Sequence, residues 1–194
     1  MKLYLIRHGE SETNVTQRHT GWGQVELTPK GEKDAARAGK ALQGVTFDKV
    51  YSSDLIRAIH TQQIALPQEP GERIVLLREL GVGELTGKTV AECKELYGTA
   101  YREARAAMDY SAYGGESYAQ LCARAEEFLK QLEALPYRNV AAFSHAGWIR
   151  AVLNIVTGSY QSKNLFRCDN GSISVFEYQN STWCLKTWNY IPFS

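Results

Sequence analysis

The apolar run Leu3-Tyr4-Leu5-Ile6 breaks off into Arg7-His8-Gly9-Glu10-Ser11, with Glu12-Thr13-Asn14 following. A strand from Lys2 to Ile6 would deliver a fixed cation and an imidazole to the end of a sheet, and Gly9 would let the backbone approach whatever the histidine faces. A histidine beside a guanidinium titrates below its ordinary range, so His8 would stay neutral near pH 7 and could act as nucleophile or base. Alone, an Arg-His pair at a strand end is more often two polar residues turned to solvent. Two further stretches argue otherwise, because each also ends an apolar run in polar groups: Ser52-Ser53-Asp54, leading to Arg57, and Ser144-His145.

Gathered at one edge, Arg7, His8, Arg57 and His145 would repel one another unless an anion joined them. Forked guanidinium donors suit phosphate oxygens, and imidazoles add a donor and a nucleophile, so a phosphate monoester is the expected guest. Attack by His8 would give a phosphohistidine and split one hard displacement into two easier ones. The leaving alkoxide needs a proton, which Glu79 or Glu84 could supply. Preorganised cations would stabilise the transferring group, and the scheme calls for no metal and no cofactor. Each residue also has a plainer reading: Arg57 as a surface arginine, His145 as a histidine at a strand-to-helix junction, Glu79 as one loop glutamate among several.

The elements that must position these groups alternate between strand and helix patterns. A loop covers Asn14 to Gly23. Thr28 and Pro29 open a helix with an alanine-rich face (Ala35, Ala38, Ala41), and Gly44 ends it. Phe47–Ser52 reads as a strand, a helix runs from Leu55 through Ile64 to Pro67, and Ile74–Leu77 reads as a short strand. The glycine-bearing stretch Arg78–Gly87 is a loop. Thr89–Tyr97 and Ala100–Met108 read as two short helices forming a cap over roughly residues 88–113. Ser117 caps a long amphipathic helix carrying Leu121, Ala125, Phe128, Leu132 and Leu135. Asn139–Phe143 is a strand, Trp148–Val156 a helix, and Ile173–Tyr178 with Thr182–Trp188 a hairpin. The expectation is one α/β domain over residues 1–194. It is a three-layer sandwich, with a mixed, mostly parallel sheet covered by helices on both faces. Ligands in such sheets bind beyond the carboxyl ends of the strands.

Composition limits the alternatives. With 44% hydrophobic and 22% charged residues and a formal net charge of +1, the chain has neither the field that draws nucleic acid or anionic lipid nor a membrane-length apolar stretch. The strand-like N-terminus argues against an export signal and for cytoplasmic residence. Cys93, Cys122, Cys168 and Cys184 show no metal or disulfide spacing and read as reduced thiols, and His8, His19, His60 and His145 form no local metal motif. The Gly81–Gly87 stretch lacks the ending of a P-loop, and neither a dinucleotide fingerprint nor a Gly-x-Ser-x-Gly elbow occurs.

Arg7-His8-Gly9-Glu10-Ser11-x-x-Asn14, Thr20-Gly21-Trp22, Leu27-Thr28-x-x-Gly31, Ser52-Ser53-Asp54-Leu55-x-Arg57-Ala58 and Ser144-His145 together resemble the histidine phosphatase superfamily, in its phosphoglycerate-mutase-like branch. The resemblance implies an α/β sandwich in which His8 is phosphorylated and Arg7, Arg57 and His145 complete the phosphate pocket. It also implies Asn14 as a phosphate contact, Thr20 and Gly21 on the substrate side, and Glu79 rather than Glu84 as proton donor. The Gly114-Gly115-Glu116-Ser117 turn resembles a further family element. Two positions depart from the pattern. Ala146 stands where the family commonly has glycine and would offer its N–H to the ligand. Asp54 replaces a proline and would cap the helix bearing Arg57.

Within that resemblance, cofactor-dependent mutases carry a longer, basic arm. Only 26 residues lie between Gly87 and Gly114 here, with Lys88, Lys94, Arg102 and Arg105 balanced by Glu92, Glu95, Glu103 and Asp109. The expectation is a phosphatase similar to the α-ribazole-phosphate and broad-specificity phosphatases. It would act on a small phosphorylated metabolite and associate with neither nucleic acid nor membrane, with monomer and homodimer both open. Tyr97, Tyr101, Tyr110, Tyr113 and Trp148 could stack on a nucleoside-like guest or simply pack. The alternatives are a phosphoglycerate mutase and a non-catalytic phosphate-binding protein on the same fold.

Overall fold

Side chains alternate across a strand, and in this sheet the alternation sorts the core into two halves. The computed structural model describes residues 1–159 and 166–191. Its six-stranded sheet has the order β3-β2-β4-β1-β5-β6. The strands are β1 (Lys2–Arg7), β2 (Lys49–Ser53), β3 (Glu72–Ile74), β4 (Asn139–Ser144), β5 (Ile173–Gln179) and β6 (Thr182–Tyr190). The first four run parallel, and β5 and β6 close one side as an antiparallel hairpin. Leu3 and Leu5 of β1, with Val140 and Ala142 of β4, pack under α5 (Tyr118–Glu133) and α6 (Ala146–Thr157). Ile6, Ala141 and Phe143 point the other way, toward α2 (Pro29–Ala41) and α3 (Ile56–Ala65). Each fully buried Leu or Phe contributes roughly 1.5–3 kcal/mol over its exposed state. The result is the three-layer α/β sandwich expected.

Helix ends follow the capping chemistry of the sequence. Thr28 accepts the Gly31 N–H at 3.1 Å with Pro29 in the first turn, and Ser117 and Gln120 cap α5 reciprocally. The two helices expected in the cap are one helical segment, α4 (Val90–Ala107), broken at Gly98. Gly98 has φ 53° and ψ −124°, a conformation open in practice only to glycine.

Three local expectations differ from the structure. Within the loop expected from Asn14, a short helix α1 (Glu12–Val15) forms, too brief to carry a periodic signal. The strand expected over Ile74–Leu77 ends at Ile74, and Val75–Leu77 is a 3₁₀ turn that leaves Val75 exposed and buries Leu77. The Leu77 carbonyl then accepts the Ser144 hydroxyl at 2.7 Å, tying this turn to the end of β4. Asp54 does not cap α3. Leu55 holds the N-cap position, Gln24 accepts the Ile56 N–H at 2.9 Å, and Asp54 forms a two-pronged ion pair with Arg78.

Gly9 and Gly31 let the loop after β1 lie directly on the first turn of α2. A Cβ on Gly9 would sit 2.1 Å from the Gly31 carbonyl oxygen, and one on Gly31 would sit 2.0 Å from that of Glu10. The close approach that Gly9 permits is therefore to α2 rather than to a ligand. Gly31→Ala should destabilise the fold by about 1–3 kcal/mol through overpacking, read from chemical denaturation midpoints.

Candidate active site

The parallel strands end side by side, and their carboxyl ends form the floor of a cleft of about 290 Å³. His8 follows β1 directly and is buried, with its N–H donated to the Ser144 carbonyl at 3.0 Å. Its ring Nδ1 lies 2.7 Å from the Gly9 carbonyl oxygen. A carbonyl only accepts, so Nδ1 carries the proton and Nε2 keeps its lone pair. Burial holds His8 well below the usual histidine range, and the charges of Arg57 and then Arg7 push in the same direction. The adjacent arginine anticipated in the sequence is thus the smaller part of the effect. Its direction is as expected, and desolvation leads.

Arg57 is 1% exposed, which rules out a surface arginine. Its guanidinium donates to the Gly23 and Gly21 carbonyls, each at 2.9 Å, and so fixes the Thr20–Gly23 turn against the site. Burial pulls its pKa down to about 10, still charged at neutral pH. Arg7 donates Nη1 to the Cys168 carbonyl, while its buried Nε finds no partner among the described residues. His145 stands behind the cleft wall, its ring 5.1 Å from that of His8, with Nε2 2.9 Å from the Ser53 hydroxyl. Its Nδ1 is likewise buried and unpartnered among the described residues.

Of the remaining expected residues, Asn14, Thr20, Gly21 and Glu79 line the cleft, and Glu84 does not. The Asn14 carbonyl oxygen accepts from Ser11 N–H and from the Asn170 amide, so its own NH₂ is the group left for a ligand. Thr20 is held by a 2.6 Å hydrogen bond to Thr13. Ala146 is buried in the first turn of α6 and is not part of the lining, which reaches Gly147 instead. Gly147 donates its N–H to Glu79 Oε2 at 3.1 Å, and a Cβ there would meet Glu79 Oε1 at 2.2 Å. A side chain at the second residue after His145 would therefore displace the Glu79 carboxylate, whereas alanine fits at the first.

Glu79 is braced from behind. Leu80 N–H donates to its Oε1, and Arg124 of α5 donates to the carbonyls of Leu76, Arg78 and Glu79. Arg124 is in turn paired with Glu116, whose Oε2 accepts the Gly81 N–H. Trp22 donates its indole N–H to the Glu79 carbonyl and lies under the Arg78 guanidinium.

Sequence reasoning did not single out Arg18, His19, Leu80, Val82, Met108 or Arg150, all of which line the cleft. The first two lie in the loop already marked by Asn14 and Thr20, and Arg150 is one turn beyond Gly147. The others carried no chemical signal. Among the cap tyrosines Tyr110 lines the cleft. Tyr101 is buried on His19, and Tyr97 packs on Tyr113. Trp148 is core, packed against Phe128. The four cysteines are free thiols, and among the described residues no group of three or more His, Cys, Asp or Glu side chains is placed to hold a metal ion. No helix of the described residues is long and apolar enough to cross a membrane.

The sequence profile of the histidine phosphatase superfamily (branch 1) matches residues 3–191. A 2,3-bisphosphoglycerate-dependent phosphoglycerate mutase of Cytophaga hutchinsonii is 36% identical over 159 residues, covering 78% of this chain and 75% of that protein. Among solved structures, an alpha-ribazole phosphatase from Shigella flexneri superposes with a TM-score of 0.91 at 28% identity, over 100% of this chain and 98% of that one. A mycobacterial glucosyl-3-phosphoglycerate phosphatase gives 0.85 at 25% identity, over 97% and 98%.

His8 and His145 are held neutral in the folded chain, His145 by burial first and then by Arg57, His8 and Arg7. Unfolded, each protonates with a pKa near 6.5, so below that pH the unfolded state binds more protons and stability falls. The expected loss is about 1.4 kcal/mol per histidine per pH unit below about 6.5. Denaturation measured between pH 7.5 and 5 reads this slope, and His145→Gln should flatten it.

Proposed function

The chain belongs to the histidine phosphatase superfamily, and we propose that within it the protein is a phosphomonoesterase working without a metal through a phosphohistidine at His8. The guest would be a small phosphorylated metabolite, the class that includes α-ribazole phosphate and sugar phosphates. The observation that carries this reading is a neutral, buried imidazole with Nε2 free, flanked by two guanidinium groups. The Nε–H of Arg7, which lines the cleft and has no partner among the described residues, supports it, since a buried donor of this kind is satisfied by an anion's oxygens.

In the proposed cycle His8 Nε2 attacks phosphorus and the bond from phosphorus to the ester oxygen breaks. Glu79, entering as the neutral acid, gives its proton to the departing alkoxide. The Glu79 carboxylate then takes a proton from water, which attacks phosphorus. The P–N bond breaks, inorganic phosphate leaves, and His8 and Glu79 are restored. Arg7, Arg57 and the Asn14 amide would hold the equatorial oxygens, where losing one donor typically costs about 3–4 kcal/mol in the transition state.

Relatives named as phosphoglycerate mutases favour a second reading, in which the phosphohistidine is passed to a bound phosphoglycerate rather than to water. Against it stands the short cap segment, whose charges balance. The two readings separate in one assay series with chelator present: p-nitrophenyl phosphate, α-ribazole phosphate, and 3-phosphoglycerate with and without bisphosphoglycerate. Release of inorganic phosphate is expected. Isomerisation without net release would replace the phosphatase reading with the mutase one, and binding without either would leave a phosphate-binding protein. His8→Ala should abolish turnover in a folded protein, and normal turnover by it would defeat the mechanism. Glu79→Gln should slow alkyl phosphates far more than aryl phosphates, whose leaving groups need no proton, and equal slowing would remove Glu79 from the donor role.

A further inference from the structure

Asn170 does not line the cleft, yet its amide joins two residues that do. Its Nδ2 donates to the His8 carbonyl at 3.0 Å and to Asn14 Oδ1 at 3.1 Å. Backbone groups decide both amide orientations. The His8 carbonyl only accepts, so the Asn170 atom facing it is the NH₂. The Ser11 N–H, 3.0 Å from Asn14 Oδ1, only donates, so that Asn14 atom is the oxygen. The two hydrogens of the Asn170 NH₂ thus meet two acceptors, and the Asn14 NH₂ is the group left for the cleft.

Asn170 is half-buried, and the chain is anchored on both sides of it. Before it, Asp169 and Asn189 are joined twice: the Asp169 N–H donates to Asn189 Oδ1 at 2.7 Å, and Asn189 Nδ2 donates to Asp169 Oδ2 at 2.8 Å. After it, the Gly171 N–H lies 3.2 Å from the Arg7 carbonyl and 3.3 Å from that of His8. The Ser172 carbonyl then accepts the Arg7 N–H at 3.1 Å. Residues 168–172 therefore back the turn that bears His8, with the Cys168 carbonyl holding the Arg7 guanidinium at the other end of the segment. A side chain set on so fixed a backbone imposes its donors on its neighbours rather than adapting to them.

We propose that Asn170 is a positioning residue that aims the Asn14 amide: by occupying Asn14 Oδ1 it keeps the Asn14 NH₂ turned to the phosphate. The Ser11 N–H and hydroxyl hold the same oxygen from the other side, so three donors converge on it. An acceptor placed at residue 170 would repel that oxygen and dislodge the amide, and the site would lose one of its phosphate donors. This deepens, and rests on, the reading of the cleft as a phosphate-ester site.

The test measures p-nitrophenyl phosphate turnover by wild type, Asn170→Asp and Asn170→Ala, with both changes made again on an Asn14→Ala background. Asn170→Asp keeps the side chain's shape but replaces its donors with acceptors, and should lose about 10- to 100-fold in kcat/KM. Asn170→Ala lets water donate to the two oxygens and should lose about tenfold less than the aspartate variant. A role in packing alone would reverse this order and overturn the proposal. On the Asn14→Ala background, whose own loss is the baseline, Asn170→Asp should cost less than about threefold more, because the amide it dislodges is already gone. Equal cost on both backgrounds would overturn the proposal and make the charge of the new carboxylate the cause. If Asn170→Asp does not fold, Asn170→Leu, similar in shape and without donor or charge, takes its place in the same background comparison. If wild type hydrolyses no ester, the phosphatase reading fails, and calorimetric binding of inorganic phosphate by the same proteins decides separately. Weaker binding that depends on Asn14 upholds the positioning role, and equal weakening on both backgrounds overturns it. A wild type that neither hydrolyses an ester nor binds phosphate overturns both readings.

Discussion

Two histidines and Arg57 are buried at the ends of parallel strands with the half-buried Arg7 beside them, and much of the surrounding structure is arranged to tolerate them. Like charges in a poorly solvated cup repel, and each guanidinium loses water on entering it. The fold answers with backbone carbonyls: Cys168 for Arg7, Gly21 and Gly23 for Arg57. These bonds satisfy three of the guanidinium donors without adding a formal negative charge, so the cup keeps its positive charge. The histidines respond by staying neutral, which leaves His8 with a lone pair to use.

Those same bonds organise the loops. Arg57 reaches across to the Thr20–Gly23 turn, and Thr61 on the next turn of α3 accepts the Gly9 N–H at 3.0 Å while donating to the Arg57 carbonyl. The segment after β1, the Thr20 turn and α3 are thus held by one short chain of contacts. The loop bearing Glu79 has a separate frame. Arg124 gathers three of its carbonyls, Glu116 takes the Gly81 N–H, and Asp54 holds Arg78 from the end of β2. A proton donor on a loop needs such a frame, because a carboxyl displaced by an ångström no longer reaches the leaving oxygen. Gly147 completes it by leaving room for the carboxylate.

Above this floor the cleft is less uniform. Met108, Leu80 and Val82 give it apolar surface, Tyr110 a polar-tipped ring, and Arg150 a cation with no counter-ion among the described residues. Under the proposed phosphatase reading, discrimination among esters would fall to these residues, which come from the loop after β3, the end of α4 and α6 rather than from the sheet.

The amino-acid sequence by itself determined the layer order and pointed to the residues gathered at the strand ends. Strand alternation at Leu3, Leu5 and Ile6 specifies two packed faces, and Thr28, Pro29 and Ser117 mark helix starts through local capping bonds that depend on residues within one turn. Arg7, His8 and His145 were legible because each sits at or just after a strand end, and Arg57 because it follows one within the next helical turn, positions that short-range patterning locates. Other features depended on contacts between residues far apart in the chain, which no local pattern encodes. Asp54, next to a helix start, has the chemistry of a cap, yet Arg78 lies within reach in the fold and a bidentate ion pair prevails. Ile74–Leu77 has the apolar content of a strand, yet the chain turns so that Leu77 is buried and meets Ser144. Ala146 was expected at the ligand and lies instead in the wall, with Gly147 at the surface of the cleft, because Glu79 occupies the space in front of that turn. Arg150 drew no notice as an arginine in a helix. Only the tertiary structure set it in the cleft without a partner among the described residues, since whether a charge is paired depends on what the rest of the chain brings near it.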